Sequence, residues 1–342
     1  MKNDMNEINL SHGSGGKLMH DLISAVFKAR FSNEILDRLS DSAVIDLSDE
    51  DMEDLCFTTD SYVVDPLFFP GGDIGKLAVC GTVNDLSVEG ARPMFLSCGV
   101  ITEEGLDMKT LERIVDSMSE TAKNVPVKIV TGDFKVVPRG KADRIFINTA
   151  GIGVRKKGLS PSGKSAIKPG DRIIINGPLG QHGIAVLSAR GEFELEMDIQ
   201  SDCASLFSLI SAVLNASDGV RFMRDPTRGG VSTTLNELTS DAGFGLLIKE
   251  DTLPLPEEIR GACELLGFDP LFLANEGKVI MVVDANESEN ILKVMKNHPL
   301  GKESCIIGEV IEDPVGKVIM ETSIGSRRIL DMPVGEQLPR IC

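Results

Sequence analysis

Hydrophobic residues recur along the chain with two spacings, and these predict the helices and strands of its first half. The clearest helical spacing, with apolar residues at i, i+3, i+4 and i+7 from Leu111, predicts a helix over 107–124. Apolar positions over 75–90 predict another helix, which Gly90 ends. Strands are predicted at 56–65, which ends at Pro66, at 93–101, and at 127–131 and 144–154.

The same two patterns begin again after a turn-rich stretch at 156–171. The predicted helices lie near 181–190, 203–216, 231–242 and 287–297. The predicted strands lie at 172–176, 278–283, 304–311 and 318–321. Helices and strands mix without a regular strand–helix–strand alternation, so we predict an α/β fold of mixed α+β character.

The length of the chain predicts more than one domain. The chain has 342 residues, and one hydrophobic core seldom serves more than about 250–300 residues. We therefore predict two domains: an N-terminal domain at 1–155 and a C-terminal α/β domain at 172–325, joined by a linker at 156–171. A tail at 326–342 follows.

Charge and cysteine content exclude several classes of function. Lysine and arginine number 35 against 52 acidic residues, a net charge of −17 that argues against nucleic acid or an anionic membrane as the main partner. Bound ATP remains compatible, because local glycines, lysines and metal ions overcome a global negative field. The seven cysteines lack Cys-x-x-Cys spacing, which predicts reduced cysteines and a cytoplasmic location. No apolar run reaches the length of about 18 residues that a membrane helix needs.

The last twelve residues show neither a helical nor a strand period. Pro333, Gly335 and Pro339 favour an extended, mobile segment that ends in Cys342. Twelve extended residues span roughly 40 Å, far enough to carry a thiol into a distant cleft.

A glycine-rich segment precedes the first helical pattern. Gly13, Gly15 and Gly16 allow backbone N–H groups to converge on a phosphate, and Lys17 adds positive charge. The segment is not a P-loop, because Leu18 stands where that motif needs Ser or Thr. A flexible, glycine-rich N-terminus is the alternative interpretation.

Short acidic motifs lie at the ends of predicted elements. Asp41, Asp60 and Asp225 supply carboxylates of the kind that hold Mg²⁺ against phosphates. Asn84-Asp85 lies inside an otherwise apolar helix, where an unpaired carboxylate is costly, so a functional role is favoured for Asp85. For Asp41 and Asp60 taken singly, helix capping or a turn explains the residue equally well.

Two further charged residues lie beside predicted strands. Lys135 follows the strand at 127–131, and we predict that it emerges at a turn. Glu276, in Asn275-Glu276-Gly277, precedes the strand at 278–283 and is a candidate base or cation ligand. A solvated surface lysine and an ordinary turn residue are the respective alternatives.

Taken in order, the motifs resemble one superfamily of ATP-using enzymes, which includes aminoimidazole ribonucleotide synthetase, selenophosphate synthetase and thiamine-monophosphate kinase. Within it the chain is most similar to the carbamoyl dehydratases of nickel–iron hydrogenase maturation. The resemblance covers essentially the whole chain. It rests on His12-Gly13-Ser14-Gly15-Gly16, Thr58-Thr59-Asp60-Ser61, Asn84-Asp85-Leu86, Gly132-Asp133-Phe134-Lys135, Arg224-Asp225-Pro226-Thr227-Arg228-Gly229-Gly230, Asn275-Glu276-Gly277 and Pro339-Arg340-Ile341-Cys342.

The resemblance implies a homodimer whose N-terminal domains pair into a β-barrel, with ATP and Mg²⁺ in the cleft. It implies that a separate carbamoyltransferase places a carbamoyl group on Cys342, and that dehydration of this S-carboxamide gives a thiocyanate. The cyanide then passes to an iron-carrying maturation complex.

The resemblance also implies a role for each matching residue. The implied catalytic residues are Cys342, Glu276 and Lys135, of which Glu276 is the first choice for the base. The implied nucleotide-binding residues are Gly13, Gly15, Gly16, Lys17, Asp60 and Asn84. The implied Mg²⁺ ligands are Asp41, Asp60, Asp85 and Asp225.

Two positions depart from the superfamily pattern. Ser14 stands where selenophosphate synthetases carry Cys or selenocysteine, which speaks against selenium chemistry. The acidic pair near Asp41 is here Asp41-Ser42, so one metal ligand is missing from the pattern.

Two other functions fit parts of the sequence. A sister enzyme that phosphorylates a free small molecule would share the acidic motifs but leave Cys342 without a purpose. A non-catalytic ATP-binding thiol carrier would bind nucleotide and tolerate the loss of Glu276 and Lys135.

Overall fold

The computed structural model describes residues 16–22, 24, 43–45, 54–191, 198–335, 338 and 340–342. Within this part of the chain the α-helices are α1 (Lys17–Leu22), α2 (Ile74–Val88), α3 (Met108–Asn124), α4 (Gln181–Arg190), α5 (Phe207–Ala216), α6 (Gly230–Thr239), α7 (Glu257–Leu266) and α8 (Ser288–Lys296). Short 3₁₀ helices occur at Glu250–Thr252, Pro270–Phe272 and Pro299–Gly301.

The strands fall into two large sheets and one hairpin. The first sheet and the hairpin contain β1 (Ala43–Ile45), β2 (Asp54–Tyr62), β3 (Phe68–Phe69), β4 (Gly72–Asp73), β5 (Arg92–Glu103), β6 (Lys128–Val137) and β7 (Ile145–Arg155). The second sheet contains β8 (Arg172–Ile175), β9 (Val220–Arg224), β10 (Gly245–Lys249), β11 (Ile280–Val283), β12 (Cys305–Ile311), β13 (Val318–Glu321) and β14 (Arg327–Ile329).

The first sheet has the order β1-β2-β7-β5-β6, so β6 lies at its edge. Only the β5–β6 pair among these strands is parallel. Helix α2 crosses this sheet and is buried around nearly its whole circumference. It has the sheet on one side and α5 of the second half on another, which explains why its sequence is apolar all round.

The second sheet has the order β14-β13-β10-β12-β8-β11-β9. In β8, the side chains of Ile173 and Ile175 enter one hydrophobic cluster, whereas Ile174 enters another on the opposite face. Both faces of the sheet are therefore covered. This is why its central strands read as continuous apolar runs rather than as alternating patterns.

The strongest sequence patterns gave the right elements. The helix predicted over 75–90 is α2, and Gly90 adopts the left-handed conformation (φ +75°) that ends it. The helix predicted over 107–124 is α3, in which Asp107 caps the first turn through the N–H of Thr110.

Other predictions were incomplete or wrong. The strand predicted at 127–131 continues to Val137, because β6 pairs with β5 over the longer stretch. Seven elements were missed altogether, namely β1, β3, β4, β9, β10, β14 and α7, and β14 lies inside the predicted tail. Residues 156–171 contain neither a helix nor a strand.

Among the described residues, no helix combines the length and the apolar composition needed to cross a bilayer.

Candidate active site

Glu276 lies in a loop that immediately precedes β11, as the sequence predicted, and its backbone is held from both sides. Asp202 accepts hydrogen bonds from the N–H groups of Glu276 (3.1 Å) and Gly277 (3.2 Å). Gly277 is required here, since a Cβ atom would collide with the carbonyl of Asp202. Asn275 adds a third restraint by bonding the carbonyls of Pro226 and Leu273.

Asn84 links this loop to α2. Its Nδ2 donates to the carbonyls of Glu276 (3.2 Å) and Ala204 (3.1 Å), and its Oδ1 accepts from the N–H of Leu206 (2.8 Å). The side chain is fully buried. Asn84 therefore positions Glu276 through the protein interior, and its predicted contact with a nucleotide stays a prediction.

The Glu276 carboxyl is buried, with 3% of the residue exposed, and no residue in the described part of the chain hydrogen-bonds its Oε1. Burial raises its pKa well above the ordinary value, and the nearby carboxylates of Asp225, Asp202 and Asp60 raise it further. Arg228 opposes them only in part. A carboxyl group whose pKa is raised is, in its ionised form, a stronger base than an ordinary carboxylate.

The pKa of Asp202, which hydrogen-bonds the N–H groups of Glu276 and Gly277, is shifted in the opposite direction. Its carboxylate pairs with Lys278 Nζ at 2.9 Å, and this contact is buried. Burial by itself would raise the pKa of Asp202, but Lys278 and His182 lower it overall. Asp202 therefore stays ionised and supports the loop. The sequence offered no recognised motif for either Asp202 or Lys278.

Of the other predicted carboxylates, Asp60 and Asp225 act electrostatically on Glu276, and Asp85 acts on Arg228, which also faces Glu276. Asp225 is almost fully buried at the end of β9. Asp85 is half-buried on α2 and accepts a hydrogen bond from Thr58 Oγ1 of β2 at 2.8 Å. Burial also raises the pKa of Asp60, against the attraction of Arg228. We call Asp60, Asp85, Asp225 and Glu276 the carboxylate group.

Cys342 lies beside this group. Burial raises the pKa of its thiol to about 12; Arg228 lowers it, while Glu276 and Asp60 raise it. A backbone oxygen of Cys342 accepts a hydrogen bond from the N–H of Val63 at 3.0 Å, so this residue is docked against the body of the protein. The structure thus brings together Cys342, Glu276 and Asp60, as the sequence predicted.

Arg228 is a further site residue that the sequence analysis did not single out. It interacts electrostatically with Cys342, Asp60, Glu276 and Asp85, so it faces most of the carboxylate group. The glycines of the motif that contains it were a signal of a tight turn. Gly230 (φ +61°) has no room for a side chain beside the carbonyls of Leu271 and Leu273. This turn orients the residues before it toward the site.

Lys135 is not where the sequence placed it. We predicted a turn, but Lys135 lies within β6, because the strand continues past it. Its side chain is 66% exposed and pairs with Asp133 Oδ1 at 2.5 Å. Within one chain it is therefore not part of the site around Glu276.

The glycine-rich segment is described only from Gly16 onward. The N–H of Lys17 donates to the carbonyl of Pro333 at 3.1 Å, and a Cβ atom on Gly16 would collide with that same carbonyl. Gly16 and Lys17 therefore lie against the beginning of the tail, and their phosphate-binding role stays a prediction. Gly13, Gly15 and Asp41 lie outside the described residues.

Among the described residues there is no group of three or more His, Cys, Asp or Glu side chains arranged to hold a metal ion by themselves.

Two family models match the sequence. The model of the N-terminal domain of AIR synthase related proteins matches residues 39–155, and that of the C-terminal domain matches residues 168–321. Carbamoyl dehydratase HypE from Rhodobacter capsulatus is 48% identical over 338 residues, which cover 98% of each chain. The chain belongs to the carbamoyl dehydratase HypE family. The resemblance inferred from the sequence motifs is thereby confirmed.

Solved structures of the family agree with the fold. The crystal structure of a HypE–HypF complex has a TM-score of 0.85 and 47% identity, covering 91% of this chain and 99% of that one. The crystal structure of a hydrogenase maturation protein HypE in complex with ATP has a TM-score of 0.81 and 46% identity, covering 98% of this chain and all of the other. The mixed α/β, two-part architecture of the AIR synthase type is therefore confirmed.

Proposed function

We propose that this chain is an ATP-dependent carbamoyl dehydratase of hydrogenase maturation that acts on its own last residue. Its substrate is an S-carboxamide on Cys342 and its product is a thiocyanate on the same sulfur. Family membership supports the reaction. The position of Cys342 beside Glu276, Asp60 and Arg228 is the observation that supports the use of this thiol.

The reaction removes the elements of water from S–C(=O)–NH₂ to give S–C≡N. A carboxamide oxygen is a poor leaving group, and ATP supplies the phosphoryl group that makes it a good one. The oxygen then departs in phosphate while two N–H protons are lost. The protein has to position the sulfur, neutralise the phosphates and accept a proton.

Glu276 is the base in this proposal. Its backbone is fixed by Asp202 and Asn84, while its Oε1, which no described residue hydrogen-bonds, is available to the substrate. The raised pKa makes the ionised carboxylate a strong proton acceptor. Positive charge arriving beside Asp60 and Asp225 would lower this pKa and favour the ionised form, which accepts the proton.

The chemistry of the carboxylate group fits Mg²⁺ bound together with phosphates. Asp60, Asp85 and Asp225 offer hard oxygen donors, and the carboxylates raise the pKa of Glu276 through mutual repulsion that a cation would relieve. Mg²⁺ in such sites takes one or two carboxylates and completes its coordination with phosphate and water. A HypE with 46% identity has been crystallised with ATP, which supports nucleotide binding here.

The homodimer is part of the same proposal. β6 is an edge strand whose residues are almost all exposed, among them Val130, Phe134 and Val136. An exposed, apolar sheet edge favours pairing with another chain. In such a dimer, Lys135 on β6 would face the second subunit. It could then contribute to the cleft of that subunit, although it is remote from the cleft of its own chain.

The partner proteins that we propose are those that would load and unload the thiol of Cys342. A HypE–HypF complex of a relative supports a partner carbamoyltransferase that loads Cys342. After dehydration, the thiocyanate would meet an iron-carrying acceptor, so the tail has to leave the cleft and return. The seven cysteines are free, which supports a reducing compartment such as the cytoplasm.

The test is the intact mass of the protein after incubation with the carbamoyltransferase and its carbamoyl donor, before and after addition of Mg-ATP. We expect the gain of one carbamoyl group and then the ATP-dependent loss of one water. The Cys342→Ser variant should gain nothing that ATP alters. An adduct that keeps its water, or turnover of a free small molecule by Cys342→Ala, would contradict the proposal.

A further inference from the structure

The first helix, α1, is held against the second half of the molecule by a pair of side chains. His20, in the last turn of α1, places its Nε2 at 2.6 Å from Glu237 Oε1 on α6. The helix begins at Lys17, directly after the glycine-rich segment. The placement of α1 therefore determines where the segment predicted to bind phosphate enters the molecule.

Glu237 has a second cationic partner on its other carboxylate oxygen. Arg224, the last residue of β9, donates from Nη1 to Glu237 Oε2 at 2.7 Å. The residue after Arg224 is Asp225 of the carboxylate group. The carbonyl of Pro226 then accepts hydrogen bonds from the N–H and the side chain of Asn275, in the loop before β11. Glu237 thus bridges α1 and the strand end that carries Asp225 into the site.

The carboxyl group of Glu237 stays ionised at a fixed position. Burial would raise its pKa, but the hydrogen bond with His20 and the charge of Arg224 lower it overall. Lys164 holds the end of α6, because its Nζ donates to the carbonyls of Glu237 (2.6 Å) and Ser240 (2.9 Å). Positive charge is favoured at this end of a helix. The negative charge of Glu237 is therefore constant, and its partner on α1 is the group that changes.

His20 is that group, because its pKa lies closest to neutrality. The hydrogen bond to Glu237 raises this pKa above the ordinary 6.5 against the opposing effect of burial. The charges of Glu237 and Asp21 add to the increase, and Arg224 reduces it. The ion pair is therefore complete below pH 6.5 and is lost as pH rises through the raised pKa of the folded protein.

We propose that Glu237 is a positioning residue that couples α1 to the Asp225 end of β9, and that only protonated His20 completes the coupling. Neither His20 nor Glu237 belongs to the motifs on which the family resemblance rests. The coupling holds the glycine-rich segment at the carboxylate group, and this placement weakens as pH rises. The inference rests on the proposed function only where it concerns ATP, because the placement of α1 is measurable without nucleotide.

Amide hydrogen exchange of a peptide that contains residues 17–22 measures the placement of α1 in the full-length protein. After correction for the intrinsic effect of pH, protection in the wild type should fall about three- to fivefold between about pH 6 and pH 9. His20→Gln carries no charge and should be weakly protected at every pH. His20→Arg stays charged, can pair with Glu237 and should be protected at every pH.

Glu237→Gln removes the ion pair from the side of α6 and should behave like His20→Gln. Glu264→Gln, on the exposed face of α7, is the matched control and should behave like the wild type. Exchange in buried α2 is the internal reference. An increase there in Glu237→Gln would assign that result to loosening of the fold, leaving the two His20 variants to decide. The same pH profile in the wild type and in His20→Gln would overturn the proposal.

A second readout connects the coupling to the nucleotide. Calorimetry gives the Kd for Mg-ATP without turnover, because the protein used carries no carbamoyl group. The ratio of the wild-type Kd to that of His20→Arg cancels the change in charge of ATP itself. This ratio should rise about three- to fivefold over the same pH range, and a constant ratio would overturn the role of His20 at the site. If α1 shows the expected pH profile but ATP binds at no pH, the proposed function fails and the coupling stands.

Discussion

Lys135 and Glu276 come from equally short motifs beside strands, yet the fold places them in opposite surroundings. Lys135 is 66% exposed in the middle of an edge strand and pairs with Asp133 in solvent. Glu276 is 3% exposed, with a backbone held by Asp202 and Asn84 and an oxygen that no described residue hydrogen-bonds. A buried ionisable group without a partner is costly and therefore indicates function, whereas an exposed one costs almost nothing and indicates little.

The largest effect is expected at the buried residue. Glu276→Gln should leave carbamoylation of Cys342 intact and slow its dehydration by about 10²–10⁴-fold, since a general base is lost. Single-turnover mass measurement after addition of Mg-ATP checks this. Glu264→Gln, on the exposed face of α7, is the control and should react normally. Normal turnover by Glu276→Gln would assign the base elsewhere.

The exposed residue is tested by mixing subunits. If Lys135 acts in the cleft of the partner subunit, the Lys135→Ala and Glu276→Gln homodimers are both inactive. A mixed dimer of the two variants then contains one cleft in which both residues are intact. We expect dehydration to return when the two proteins are exchanged into mixed dimers.

Mixed dimers that stay inactive would place Lys135 in the cleft of its own subunit, and an active Lys135→Ala homodimer would place it outside the reaction. Phe134→Asp, which puts a charge on the exposed face of β6, should shift the molecular mass in light scattering toward the monomer. Ile324→Asp, at a position that is 88% exposed elsewhere on the surface, should not.

The contribution of Asn84, which bonds the backbone of Glu276, is tested through the stability of the protein. Asn84→Ala removes three hydrogen bonds of α2, one to the carbonyl of Glu276 and two to the backbone of Ala204 and Leu206. We expect the free energy of unfolding to fall by about 2–4 kcal/mol, measured by chemical denaturation. Asn290→Ala, exposed on α8, should change it by less than about 0.5 kcal/mol. An equally small effect at Asn84 would show that Glu276 is positioned without it.

The smallest expected effect is a pH dependence. The pKa of Glu276 is raised above its ordinary 4.5 in the folded protein, so its stabilising contribution is complete below 4.5 and is lost as pH rises toward the folded value. Gln has no such loss. The melting temperature of Glu276→Gln should therefore exceed that of the wild type by a margin that grows between about pH 5 and pH 8. A margin that shrinks over this range would contradict a raised pKa.

The local pattern of apolar residues was sufficient to predict long elements that bury either one face or their whole circumference. The period in α3 and the apolar run of α2 were read correctly, including the polar pair Asn84-Asp85 inside it. β9 and β10 were missed because five-residue strands between helices carry little signal. β6 was cut short because Gly132-Asp133 reads as a turn, although pairing with β5 overrides that local preference.

The sequence by itself determined the family, through the order of short motifs, and it indicated that Glu276, Asp60 and Cys342 belong to one chemistry. Only the tertiary structure decided which of the predicted residues meet in one chain, that Asn84 bonds the backbone of Glu276, and that the tail contacts His182 and Val63. The physical reason is that pKa values and docking depend on burial and on charges supplied by distant parts of the chain. Asp60, Asp202, Asp225 and Glu276 influence one another only after folding has brought them together.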